Sequence, residues 1–229
     1  MQTDSRYARN LGAITPQEQE KLKTCRVCLI GCGGLGGFLA EYLGRLGVGY
    51  ITAVDADRFE IHNLNRQLLS REDNLGQSKA KAVKLRMEQI NRAVQVNPVE
   101  QYFSSANAAE LISGHHLVLD GLDNVPCRLL LQKVCGELGI PLVHGAVEGW
   151  YGQIVTVLPG DDTLSRLYPQ AKSSYPTNAS PSVLSFAPAF VASVQAAEAT
   201  KLLLGREPAL RNQMLFADLL SNSFDILPL

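Results

Sequence analysis

The stretch that most limits the fold is Gly31-Cys32-Gly33-Gly34-Leu35-Gly36. It follows an apolar run, Arg26–Gly31, which reads as a buried parallel-type strand. It opens a helix over Gly34–Gly47 that ends at a glycine. Gly31, Gly33 and Gly36 stand in G-x-G-x-x-G register, with Gly34 inside the turn. Glycine lets the backbone approach phosphate oxygens, and the helix N-terminus adds N–H donors and the positive end of a dipole. A second apolar strand, Tyr50–Asp57, carries Asp55 19 residues past Gly36. A carboxylate in that place accepts hydrogen bonds from ribose hydroxyls. Tight helix–strand packing would explain the glycines alone, but not their agreement with strand, helix and carboxylate.

The rest of the chain keeps the same rhythm. A helix is expected over Gln77–Asn91 and a third strand over Val94–Phe103, where Pro98 favours a sheet edge or a bulge. A short helix over 106–113, a strand over His116–Asp123, a helix from Val125 with Pro126 in its first turn, and a strand over 141–149 follow. Strands alternating with helices predict an α/β fold, a Rossmann-like doubly wound and mostly parallel sheet. After Gly149 the rhythm changes. A strand over 151–160, an irregular Asp161–Ser182 segment, a helix from Phe190 to Gly205 and two short strands joined by Ser221–Ser223 extend the sheet with C-terminal antiparallel strands. The irregular segment is too long for an ordinary connection and reads as a lid or binding loop.

With 229 residues, 46% of them hydrophobic, the chain can build one large core. The expectation is a single domain: an N-terminal helical arm over 1–24, a nucleotide-binding core over 25–150, and a crossover loop, helix and strands over 151–229. A net charge of −1 gives no reason to expect a nucleic-acid or anionic-membrane partner. The N-terminus has no apolar signal-peptide core, and the longest uncharged run, Pro181–Ala197, is too short to span a bilayer and reads as a buried helix. The cysteines, Cys25, Cys28, Cys32, Cys127 and Cys135, are odd in number and in apolar surroundings, which fits a reducing cytoplasm.

The glycine motif does not choose between NAD, FAD, S-adenosylmethionine and ATP. The charges near it narrow the choice. Arg66 follows the second strand, Lys79 opens the next helix and Asp123 ends the fourth strand, on the carboxyl edge where such sheets bind ligands. Two cations and a carboxylate there suit a triphosphate with magnesium, an ion that takes one or two carboxylates plus phosphate oxygens. Taken singly, each has a plain alternative. The cations can be solvated loop residues, and Asp123 can be the N-cap of the helix that follows.

Taken in order, Arg6-Tyr7-x-Arg9, G-x-G-G-L-G, Asp55-x-Asp57, Asn63-Leu64-Asn65-Arg66-Gln67, Gly76-Gln77-Ser78-Lys79, Leu122-Asp123-Asn124 and the glycines at 145, 149 and 152 before Gln153 resemble the MoeB/ThiF/HesA proteins, bacterial relatives of ubiquitin-activating enzymes. The resemblance runs from Arg6 to about Asp225. It implies a homodimer that binds ATP and Mg²⁺ and adenylates the C-terminal Gly-Gly carboxylate of a small ubiquitin-like sulfur carrier, as in molybdopterin or thiamine biosynthesis. It also implies that Asp55 holds the ribose, that Asn63, Leu64, Asn65 and Arg66 line the nucleotide, and that Arg66 and Lys79 contact phosphates. Asp123 would position Mg²⁺ beside Asn124, and Arg9 would reach the phosphates of the other subunit.

The chain also departs from that pattern. Many members hold a structural zinc in two C-x-x-C pairs, but Gly136–Leu229 contains no cysteine, so no zinc is expected. Cys25 and Cys28 have the spacing, yet positions i and i+3 of a strand face opposite ways. The same cysteine-free region predicts no thioester with the carrier, and an unassisted Ser or Thr of the 173–182 run is a poor nucleophile. His115, His116 and His144 read as satisfied polar groups, and Trp150 as core or channel wall in equal measure. Two other readings compete: a tRNA-modifying member of the superfamily, which would want a basic surface, and a nucleotide-binding scaffold without catalysis.

Overall fold

The computed structural model describes residues 4–169 and 182–229. Helix α1 (Pro16–Leu22) starts on Thr15, whose side chain accepts from the Glu18 amide while Glu18 answers at the Thr15 amide. Strand β1 (Arg26–Ile30), helix α2 (Gly34–Leu46) and strand β2 (Tyr50–Val54) form the first unit, then α3 (Lys79–Ile90) leads to β3 (Gln95–Val99). Helix α4 (Ala108–Ile112), β4 (Leu117–Asp120), α5 (Val125–Leu138) and β5 (Leu142–Glu148) repeat the pattern. The chain then turns back as β6 (Tyr151–Val157), makes α6 (Thr163–Leu167) and α7 (Phe186–Leu204), and ends in β7 (Gln213–Asp218) and β8 (Ser223–Pro228).

All eight strands join one sheet in the order β3-β2-β1-β4-β5-β6-β7-β8. Pairings from β3 through β5 are parallel, and those from β5 through β8 are antiparallel. The expected mostly parallel sheet with an antiparallel extension is what forms. Pro98 sits in β3, the strand at one edge, where its missing N–H breaks no ladder between two neighbours.

The side chains of β1 alternate between two cores. Val27 and Leu29 pack with α2, α3 and α7, whereas Cys28 and Ile30 pack with α4 and α5. Cys25 belongs to the first core and Cys28 to the second, so they lie on opposite faces of the sheet. Burial pushes both thiols up in pKa.

Several boundaries differ from the sequence reading: β2, β3 and β4 end at Val54, Val99 and Asp120, before the expected Asp57, Phe103 and Asp123, so Asp123 lies in the turn after its strand. Thr163–Leu167 is helical inside the segment expected to be irregular. Helix α7 begins at Phe186 rather than Phe190, because Pro188 falls in its first turn, where a missing N–H costs nothing. The Ser-, Thr- and Asn-bearing run over 173–181 lies outside the described residues.

Candidate functional site

A cavity of about 960 Å³ opens at the carboxyl ends of β1, β2 and β4, within the range of small-molecule sites. Its floor is the glycine turn. Gly31 has φ +90°, and a Cβ there would lie 2.6 Å from the Gly121 carbonyl oxygen, so only glycine lets the β1 and β4 turns meet. Gly36 does not line the cavity. A Cβ on it would fall 2.0 Å from the Gly31 carbonyl oxygen, so its role is to seat α2 against the turn. Helix α2 starts at Gly33 with no side-chain cap, which leaves its first N–H groups facing the cavity without an internal partner.

Asp55 lies beside this helix end. Its Oδ2 accepts from the Cys32 amide at 2.7 Å and its Oδ1 from the Asp57 amide at 2.7 Å. Burial raises the Asp55 pKa, and these amides and Lys79 pull the other way. Lys79 opens α3 as a buried cation, and its Nζ is 3.0 Å from Asp57 Oδ2. Sequence reasoning placed Lys79 at the site but missed the carboxylate it leans on. Asp57 was visible only as the second acid of Asp55-x-Asp57.

The Asn63–Gln67 run divides its labour. Arg66 lines the cavity, and its Nη1 donates to the His62 carbonyl and to Asn65 Oδ1, both at 2.9 Å. Asn63 and Leu64 stay outside the lining. Asn63 is buried and accepts from the Glu60 amide at 3.0 Å, which shapes the turn that delivers Arg66. Asn65 is also outside it, and its Nδ2 donates to the Val183 carbonyl at 3.0 Å. Gln67, absent from the sequence-derived site, is buried in the cavity wall next to Gly33, and its Oε1 has no protein partner.

Across the cavity, Asp123 and Asn124 follow β4. The cap of α5 is Asn124, whose Oδ1 accepts from the Cys127 amide at 3.0 Å. Asp123 is exposed, and its Oδ1 accepts a long hydrogen bond, 3.4 Å, from Asn124 Nδ2. The carboxylate that could have been a helix cap is therefore available to a ligand. A carboxylate so placed on the cavity wall, across from the start of α2, fits a magnesium ion that completes its shell with phosphate oxygens and water. Among the described residues, no group of three or more His, Cys, Asp or Glu is placed to hold a metal ion by itself.

Arg9 is exposed and does not line this cavity. Its neighbour Tyr7 is buried, and a Cβ on Gly47 would lie 2.7 Å from the Tyr7 ring. The Tyr7 hydroxyl accepts from Asn91 Nδ2 at 2.8 Å. Gly47 caps the C-terminus of α2, and Gly34 at the other end of that 13-residue helix touches the cavity. Such a helix is about 20 Å long, so the arm is fastened at the end of the sheet away from its own cavity. Trp150 also stays outside the lining, with its ring centroid 5.0 Å from that of Phe186.

No helix among the described residues is long and apolar enough to cross a membrane. A model of the ThiF family matches residues 7–229. The SAMP-activating enzyme E1 of Haloferax volcanii is 37% identical over 227 residues, covering 97% of this chain and 84% of that protein. The sulfur carrier protein adenylyltransferase of Thermus thermophilus is 36% identical over 229 residues, covering 96% and 84%. Among solved structures, E. coli MccB with ATP superposes with a TM-score of 0.83 at 20% identity, covering 99% of this chain and 71% of that one. At that identity the likeness shows the fold.

Proposed function

The chain belongs to the ThiF family, and from that premise we propose that it is an ATP-dependent adenylyltransferase acting on the C-terminal Gly-Gly carboxylate of a small ubiquitin-like sulfur carrier. Two relatives at 36–37% identity carry names that state activation or adenylylation of such proteins. The observation that carries the reading is one cavity that collects an uncapped helix N-terminus, Asp55, Arg66, Lys79 and an uncommitted Asp123. A dinucleotide site has no use for that set of charges at the phosphate end.

In the reaction, a carrier carboxylate oxygen attacks the α-phosphorus of ATP. The new P–O bond gives the acyl-adenylate, and the bond to the β-phosphate oxygen breaks to release pyrophosphate. The nucleophile is already an anion, so no general base is required. The difficulty is repulsion between a carboxylate and a triphosphate. The N–H groups at the start of α2, Arg66 and Lys79 lower that repulsion and stabilise the departing pyrophosphate. Asp55 orients the ribose. Asp123 would hold a magnesium ion, whose charge offsets that of the phosphates. Arg9 acts on the site of a second copy, because its arm is fastened away from its own cavity. The chain works without structural zinc and without a covalent carrier–cysteine link, in the cytoplasm.

The test is exchange of labelled pyrophosphate into ATP in the presence of a Gly-Gly carrier and Mg²⁺. Exchange that NAD does not inhibit is expected. Absence of exchange with every Gly-Gly carrier of the same genome would refute the reading.

A further inference from the structure

Beside the Asp123 turn, in the wall of the same cavity, Arg128, Gln153 and Tyr168 belong to a second polar cluster that the proposed transfer does not use. His144 is fully buried, with Nδ1 2.6 Å from Asp120 Oδ2 and Nε2 3.0 Å from the Tyr168 hydroxyl. The same hydroxyl lies 2.6 Å from Gln153 Nε2 and 3.3 Å from Arg128 Nη1. Donor accounting gives the cluster a direction. The guanidinium and carboxamide N–H groups can only donate, so they occupy the acceptor positions of the hydroxyl, and its single proton goes to His144 Nε2. The imidazole proton is then on Nδ1 and is donated to Asp120. A protonated His144 would leave Tyr168 facing three donors. Burial favours the same neutral form by holding the His144 pKa below the ordinary histidine range.

The cluster reaches the site through one peptide. Arg128 Nη2 donates to the Leu122 carbonyl at 2.7 Å, and the Leu122 amide donates to Asp120 Oδ1 at 2.8 Å. Both backbone polar groups of Leu122 are thus gripped by the cluster. Arg128 Nε, buried and without a hydrogen bond, faces Asp120 Oδ2 at 3.9 Å. The next residue is Asp123, whose own side chain has, among the described residues, only the 3.4 Å contact to Asn124.

We propose that Tyr168, His144 and Arg128 are positioning residues: the directed chain fixes Arg128 and Asp120 on the two polar groups of Leu122, so that Asp123 meets the triphosphate in one orientation. The proposal rests on the adenylyl-transfer reading of Asp123. None of the three was a sequence-derived site residue, since the contacts that join Tyr168 to its partners span up to 40 residues.

Tyr168→Phe removes one oxygen and keeps the ring that meets His144 edge-on at 5.8 Å. Its kcat for pyrophosphate exchange should fall about fivefold to tenfold, the worth of one hydrogen bond, while KM for ATP changes by less than about twofold. In nucleotide-free protein, amide hydrogen exchange over Gly121–Val125 should accelerate by about the same factor, with β1 unchanged. Arg128→Met should cost more, and Tyr168→Phe added to it should cost clearly less than it does alone, because the guanidinium arm is already gone and only the arm through His144 and Asp120 is left to lose. Additive losses in that cycle would overturn the proposal. So would a Tyr168→Phe protein that loses thermal stability while kcat and amide exchange at Asp123 stay unchanged. The amide-exchange arm needs no turnover. An inactive wild type would therefore count against the adenylation reading alone, and the positioning claim would still be decided.

Discussion

At the β1–β2 end of the cavity the polar groups are left open, and at the β4–β5–β6 end they are closed on one another. Among the described residues, helix α2 begins without a side-chain cap, Gln67 keeps an unpartnered oxygen, and Lys79 has its direct ion pair with a half-exposed carboxylate, Asp57. Asp120, His144, Tyr168, Gln153 and Arg128 instead hydrogen-bond to one another in a chain that is buried at Asp120, His144 and Arg128 and half-buried at Tyr168 and Gln153. Open groups hold a ligand, because binding supplies the bonds the protein lacks. Closed groups hold geometry, because most of their hydrogen bonds are already made within the protein. Asp123 stands at the border, free in its side chain and fixed through the peptide before it.

The sharpest way to break this contrast is to remove the two charges the account assigns to the triphosphate from outside the open end, Asp123 at the border and Arg9 on the arm. Asp123→Ala and Arg9→Ala should each lower adenylation about a thousandfold, in the range of losing one electrostatic group at a transition state, with little change in melting temperature. Mixing the two proteins and letting subunits exchange should restore about a quarter of wild-type activity per site, since one intact site forms in each mixed two-fold dimer. A mixture as inactive as its parents, with exchange verified, would place Arg9 in its own subunit's site.

Overfilling the turn should act on stability rather than chemistry alone. Gly36→Val puts carbon 2.0 Å from the Gly31 carbonyl, a backbone atom that cannot step aside. A loss of about 3 kcal/mol is expected from such overpacking, readable in urea unfolding. A wild-type midpoint would show that the turn is not packed as described.

A smaller effect is expected where open and closed behaviour meet, at Lys79. Asp57→Asn removes the carboxylate that competes with phosphate for this amine. ATP should bind about threefold more tightly, a modest figure because Asp57 is half exposed and screened. Weaker binding would mean that Asp57 orients Lys79 more than it competes for it.

The smallest test titrates the closed end. Burial holds the pKa values of His144 and His115 below the ordinary 6.5. A lowered histidine pKa means that folding favours the neutral ring. Its stability is therefore complete above pH 6.5 and is lost as pH falls through the folded-state values. Melting temperature should drop from pH 7.5 to pH 5.5, and His144→Gln should flatten that drop. An unchanged slope would argue that the Asp120–His144 pair is charged at neutral pH.

The open half of this contrast can be read from the chain, and the reason is physical. Nucleotide cradles need glycine at fixed spacing, a carboxylate at the end of the next strand, and Pro only at the edge, and each of these is local. Asn124 rather than Asp123 as the α5 cap is a choice between neighbours that the motif cannot make, because both side chains can cap. Helix α6 was hidden because Thr163–Leu167 is a short segment flanked by Asp161, Asp162, Tyr168 and Pro169, with too few turns to show a period. The closed cluster left no trace because its members come from β4, β5, β6, α5 and the residue after α6. Hydrogen bonds between strands distant in sequence have no spacing rule.

The most direct measurement of the central claim is the intact mass of a Gly-Gly carrier after incubation with this protein, ATP and Mg²⁺, with pyrophosphatase present to draw the reaction forward. The account predicts a carrier heavier by one adenylyl group, which is AMP less a water, and no gain on the same carrier with its C-terminal carboxylate converted to an amide. A gain on the amide, or no AMP on the free acid while ATP binds in the cavity, would contradict it.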